Sequence, residues 1–402
     1  YPIASLGGKT PLQAASKPFM DNLAKFSTVG MVKTIPEGIS CGSDTANLSI
    51  LGYNPFIYST GRSSLEAVSI GVDLDDDDII FRCNLVTLSQ EPIYSDKTML
   101  DYSAGEISTS ESKILIKDIS KNLGNKKLNF YAGVSYRHVL VVKGGFNKIQ
   151  EEIKLTPPHD ISNKKIKDYL PKGVGSKILL ELLGKSETIL KDHPINLYRK
   201  KLGKNVANSI WLWAKSKKPK LDSFYEKFGL KGSVISAVDL VKGIGICAGL
   251  KSVNVEGASG NINTNYEGKA NAAIEELKAG QDFVYIHIEA PDECGHQGNV
   301  EDKIKSIELI DSKVVKKIKE ALDESNIAYS ILILPDHPTP ISLKTHTADA
   351  VPFLIYNSSE KKIRQNNNAV FDEYYPATSG IYIKEGHKLI EYFLGKKEIG
   401  NM

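Results

Sequence analysis

Four short runs in the C-terminal half, GSVISAV at 232–238, FVYIHIEA at 283–290, YSILILP at 329–335 and VPFLIYN at 351–357, are apolar with few polar interruptions. A half-exposed strand alternates apolar and polar residues; a run that does not alternate is buried on both faces, as in a parallel sheet covered by helices. Between the second and third runs, residues 300–323 place Ile304, Ile307, Ile310, Val314, Ile318 and Leu322 at helical spacing, with Lys and Glu opposite. Strand, helix and strand in succession predict a doubly wound, mostly parallel α/β sheet, whose ligands bind outside the carboxyl ends of the strands.

A chain of 402 residues exceeds the size at which one core keeps growing, so two domains are expected. Its character changes from Lys-rich mixed α/β to strongly apolar strands near residues 218–230. Upstream of that change, IIFRCNLVTL at 79–88, KLNFYAG and HVLVVKG read as strands. Residues 12–26, with Leu12, Phe19, Leu23 and Phe26 on one face, read as a first amphipathic helix. The formal net charge is only +3, although Lys164, Lys165, Lys167, Lys172 and Lys177 lie close together. A solvated surface accounts for them; a mouth that attracts anions is the alternative. Cys41, Cys83, Cys247 and Cys294 form no CxxC pair, which excludes a zinc ribbon or disulfide framework and fits a reducing cytoplasm. No apolar stretch approaches the ~20 residues of a membrane span. The expected partner is a small molecule, with no nucleic acid and no membrane.

The chemistry-bearing residues collect at predicted strand ends. FVYIHIEA runs into PDECGHQG, where Asp292 and His296 stand four apart and share one face of a helix. YSILILP runs into Asp336 and His337, and His346 follows just before the next strand. Imidazole and carboxylate suit zinc, manganese or similar ions, and five such groups exceed one tetrahedral site, so two metals are implied. Paired ions ~3.5–4 Å apart clamp the oxygens of a phosphoryl group in in-line displacement. Near the N-terminus, Gly42-Ser43-Asp44 opens a small-residue stretch that reads as a helix start. Ser43 is either an N-cap or a nucleophile activated by nearby metal. LGGKTP at 6–11 is a turn and not a phosphate loop, because Ile3 stands where GxxxxGK[ST] needs its first Gly.

Taken together, GGKTPLQAA, GSDTANLSILGYNP, TGRSSLEA, FRCNLVTL, YSAGEIS, TPPHD, ANSIWLW, NINTNYEGKA, EAPDECGHQG and LPDHPTP with THTADAVPF resemble the cofactor-independent phosphoglycerate mutases of the archaeal type. That family is a branch of the alkaline phosphatase superfamily, and the resemblance runs in order from about residue 2 to residue 390. It implies an alkaline-phosphatase-like core from 1–72 and 219–402, with a smaller α+β substrate-binding domain inserted at 73–218. It further implies interconversion of 2-phosphoglycerate and 3-phosphoglycerate through a phosphoserine at Ser43, in the cytoplasm and without 2,3-bisphosphoglycerate. Two divalent ions, Mn2+ or Zn2+ with Co2+ as a third option, would sit on Asp292, His296 and His346, and on Asp336, His337 and Ser43. The inserted domain would close over the core to exclude water. Arg82, Arg137, Arg199 and Lys242 become candidates to clamp carboxylate and phosphate, and Asp160 or His159 to move a proton between the glycerate hydroxyls. The competing readings are a phosphatase, a phosphopentomutase, a homoserine-kinase-like enzyme and a non-catalytic metal- or phosphate-binding relative. Glu106 stands where the family often carries a His. The superfamily's first strand, which ends in a metal-binding Asp, has its place immediately before Tyr1, and the expectation is that the numbering begins late.

Overall fold

The computed structural model describes residues 1–59, 61–145, 153–360 and 365–398. Two compact units result: Tyr1–Ser59 joined by Lys220–Met402, and Thr60–Pro219. The strands are β1 Ser27–Val32, β2 Ile79–Leu88, β3 Met99–Asp101, β4 Leu128–Tyr131, β5 Arg137–Val142, β6 Ser209–Lys217, β7 Gly232–Ile235, β8 Lys251–Val253, β9 Phe283–Ile286, β10 Ser330–Ile333, β11 Val351–Asn357 and β12 Tyr382–Ile383.

The first unit carries two sheets, a departure from the single, mostly parallel one expected. The order β8-β7-β9 is all parallel, whereas in β10-β11-β1-β12 only β1 and β12 run parallel. Parallel neighbours need a crossover, usually helical; residues 334–350 contain no helix, so β11 returns antiparallel to β10. β1 accepts β12 at close range because residue 30 is glycine: a Cβ there would lie 2.7 Å from Ile381 Cγ2. β9 and β10 each end their sheet, and both line a cavity of about 1720 Å3. Their apolar side chains are therefore half-buried, not enclosed as expected, while β11 is buried except at Asn357.

The helix expected over 12–26 is two helices. Thr10 caps Pro11–Ala14 in a reciprocal box with Gln13, and Pro18 opens Pro18–Ala24 at its first turn. The long helix appears as Val300–Leu309, a wider-wound segment Ile310–Val315, and Lys316–Glu324. Within the wider segment Asp311 turns inward, and its carboxylate accepts from the amides of Phe19 and Met20 at the start of Pro18–Ala24.

The second unit is built on β2, paired antiparallel with β5 on one side and β6 on the other. Alternation along β2 sends Ile79, Phe81, Cys83 and Leu85 into a core with Leu115, Ile116 and Ile119 of helix Thr109–Leu123 and Leu179, Leu182 and Leu183 of helix Ser176–Leu190. The opposite face presents Arg82 and Asn84. Helix Arg62–Ser69, expected in the core domain, belongs to this unit: its Ala67 packs on Ile80, Val139 and Val141.

Candidate active site

Helix Ala290–Gln297 begins shortly after β9 and carries Asp292 and His296 one turn apart. The loop after β10 carries Asp336 and His337, and His346 returns to them before β11 begins. Asp292, His296 and His346 offer ligand atoms that all lie within 4.8 Å of one another. The two imidazoles meet Nε2 to Nε2 at 2.9 Å, and the Asp292 carboxylate lies 3.4 Å from the first and 3.3 Å from the second. Nε2 of His296 is turned inward because its Nδ1 is held 2.9 Å from the Lys344 carbonyl. Convergent nitrogens and a carboxylate form a donor set that fits a divalent ion.

The neighbouring group is continuous with the first: the rings of His337 and His346 are 4.0 Å apart between centroids. His337 Nε2 lies 3.0 Å from Ser43 Oγ and 3.5 Å from an Asp336 oxygen. Ser43 is the first residue of helix Ser43–Ile50, after Gly42, so it is not the N-cap; its half-buried hydroxyl sits where helix dipole and free amides favour an anion.

The electrostatics follow from this packing of carboxylates against imidazoles. Burial pushes the Asp292 carboxyl up, but hydrogen bonds with His296, His346 and Thr339 outweigh it and hold the group well below the usual carboxylate range. Its hydrogen bond raises His296 to about 9. Burial lowers His337; Asp336 is likewise buried, yet His337 and His287 hold it ionised.

Several supporting groups escaped the sequence expectation. Asn47, fully buried one turn beyond Ser43, donates to Asp336 and to the Ser43 carbonyl and accepts from the Tyr285 hydroxyl at 2.6 Å. Its spacing of four from Ser43 was the available signal. His287, at the end of β9, lies 3.8 Å from Asp336. Lys269 is 0% exposed, and its ammonium donates to the His287 carbonyl at 3.3 Å; a lysine inside an apolar helix face gave no sign of this. Lys242 bonds Asn254 at 3.3 Å, and its charge helps lower Lys269.

The remaining candidates lie in the second unit. Arg82 forms a two-point ion pair with Glu66 (2.9 and 2.7 Å), and its guanidinium stacks 4.6 Å over Trp213. His159 meets the same Trp213 edge-on at 5.3 Å and Tyr102 at 6.1 Å; Asp160 stands beside it, exposed. Arg137 is exposed, its guanidinium 5.5 Å over Tyr136, which in turn packs on Tyr102. Arg199, also expected as a substrate clamp, is instead bonded within the fold. It is 3% exposed, and its guanidinium bonds Glu111 and the Ala104 and Asn205 carbonyls. Glu106 is an exposed loop residue in a left-handed conformation.

Comparison with known proteins gives these clusters a context. Residues 24–196 match the family model described as 2,3-bisphosphoglycerate-independent phosphoglycerate mutase. An enzyme of that name from Methanosarcina barkeri is 50% identical over 93% of this chain and 91% of its own length. A probable one from Geobacter sulfurreducens is 48% identical over 98% and 96%. Among solved structures, a Pyrococcus horikoshii protein superposes with a TM-score of 0.80 at 30% identity, covering 99% of this chain and 94% of that one. The cofactor-independent phosphoglycerate mutase of Thermoplasma acidophilum gives 0.64 at 25%, covering 98% and 95%. With half of its residues shared over nearly its whole length, the chain belongs to the 2,3-bisphosphoglycerate-independent phosphoglycerate mutases, a family of isomerases.

Proposed function

We propose that this protein interconverts 2-phosphoglycerate and 3-phosphoglycerate, a step of glycolysis and gluconeogenesis in the cytoplasm, with Ser43 as the phosphoryl carrier. The observation that carries the reading is the Ser43 hydroxyl at a helix N-terminus, 3.0 Å from His337 and continuous with the carboxylate and imidazole groups around it. Ser43 Oγ attacks phosphorus and gives up its proton; the bond from phosphorus to the glycerate oxygen breaks, that oxygen takes up a proton to become a hydroxyl, and a phosphoserine forms. The glycerate then presents its other hydroxyl, whose oxygen takes the phosphoryl group back while Ser43 recovers a proton. No phosphate is gained or lost, so no bisphosphorylated cofactor is required.

Asp292, His296 and His346 would hold one divalent ion, and Asp336, His337 and Ser43 a second. When bound, such ions supply positive charge against the phosphoryl oxygens. Around them, Asn47 fixes the Ser43 helix against Asp336, and the helix amides face the anion. Arg82 and Arg137 are assigned to the substrate's carboxylate and phosphate, and His159 or Asp160 to the proton that passes between the two hydroxyls.

Product analysis tests the reading. With 3-phosphoglycerate and Mn2+, 2-phosphoglycerate should appear without free phosphate, whereas stoichiometric phosphate release marks a phosphatase and sinks the proposal. Ser43→Ala should abolish turnover in both directions while folding persists; a variant with normal rates would dismiss Ser43 as the carrier.

A further inference from the structure

We infer that Thr339 is the positioning residue that joins the two ligand groups and fixes the tautomer of His337, an inference that rests on the site assignment above. Thr339 is 5% exposed, and its hydroxyl donates to Asp292 Oδ1. A hydroxyl has one proton, so toward any other neighbour the same oxygen can only accept. The other neighbour is His337 Nδ1, 3.4 Å away. The proton of His337 is thereby assigned to Nδ1, and Nε2 is left with its lone pair facing Ser43 Oγ at 3.0 Å. One threonine thus orients the carboxylate of the first group and the imidazole of the second.

The surroundings show that this oxygen is held in place. Pro338 and Pro340 flank Thr339 and fix the backbone on both sides. The Thr339 carbonyl accepts from the Lys303 ammonium at 2.9 Å, and the Pro338 carbonyl accepts from the Thr347 amide at 3.1 Å. Helix Ala290–Gln297 approaches this loop through Gly295, the residue before His296. A Cβ at that position would lie 2.6 Å from the Thr339 carbonyl oxygen and 2.9 Å from Lys303 Nζ. Any larger residue there would part the loop from the helix, and with it Thr339 from Asp292.

Partners of this kind behind metal ligands typically contribute about 10–100-fold in metal affinity. Calorimetric titration of the full chain with Mn2+ should show Thr339→Val weakened by about that factor, with Thr339→Ser close to wild type because it restores the hydroxyl. Equal affinities in wild type and the Val variant would overturn the inference. A second measurement needs neither metal nor turnover, so it fails separately from the mutase reading. In metal-free protein labelled with 15N-histidine, with His337 identified by its loss in His337→Gln, the imidazole spectrum at pH 8 should show a protonated Nδ1 and a bare Nε2. A proton on Nε2 would reject the tautomer assignment.

Discussion

Lys269→Met separates the cost of a buried charge from the rest of the site. Lys269 projects from helix Tyr266–Lys278, is 0% exposed, and donates only to the His287 carbonyl at 3.3 Å among the hydrogen bonds described. Burial pushes its pKa down from 10.5 to about 8, with Glu289 opposing and Lys242 adding to the fall. A base whose folded pKa is depressed costs stability below the folded value, where both states carry the proton. As pH rises from about 8 toward 10.5 the folded state sheds its proton first and the cost disappears. At ~1.36 kcal/mol per pH unit, that displacement amounts to roughly 3 kcal/mol at pH 7. Methionine fills similar volume without the charge but gives up one hydrogen bond, worth about 1 kcal/mol. The variant should therefore be more stable than wild type by roughly 2 kcal/mol at pH 7, and the gain should nearly vanish by about pH 9.5. Urea unfolding of the two metal-free proteins, followed by far-ultraviolet circular dichroism at both pH values, measures the difference. A difference independent of pH would refute the reasoning, as would a Lys269 amine titrating near 10.5 in direct NMR measurement.

Two further outcomes follow from the same kind of accounting. Arg199→Met should destabilise the second unit by roughly 2–3 kcal/mol, because it strands the buried Ala104 carbonyl, the part-buried Asn205 carbonyl and Glu111, whose partial exposure lowers the figure for a fully buried pair. Urea unfolding read by Trp211 and Trp213 fluorescence checks this, and a raised KM without loss of stability would return Arg199 to the substrate site. Metal uptake should depend on pH through His296, raised to about 9 by Asp292. In metal-free protein the stabilising His296–Asp292 contact is fully present below about 6.5 and is lost as pH rises through about 9. An incoming ion must displace that proton, so Mn2+ affinity should rise with pH up to about 9. Calorimetry in buffers of different ionisation enthalpy should count close to one proton released per ion at pH 7; a count near zero would contradict the assignment.

How far the site could be read in advance depended on how local each relationship is. Asp292 and His296 are one helical turn apart, and Asp336 and His337 are adjacent, so strand-then-ligand order alone brings the pairs to one place. His346 joins them because the loop is anchored to its own start. The environment of Arg199 was not legible, because an arginine facing phosphate and one facing three acceptors of the fold look alike in sequence; Asn205 is only six positions on, but Glu111 and Ala104 lie about ninety positions away. The antiparallel return of β11 was hidden for a related reason. Continuous apolarity reports burial on two faces but not direction, and direction was set by a connection that carries Asp336, His337 and His346 in place of a helix. Thr339 shows the limit most clearly. It lies inside the same loop as Asp336, His337 and His346, where a Thr between two prolines reads as turn chemistry. Its hydroxyl acquires a role only because Gly295, more than forty positions earlier, leaves the helix bare enough for the loop to reach Asp292. The candidate ligands are local in sequence and therefore legible, whereas the contacts around them are set by the approach of two backbones.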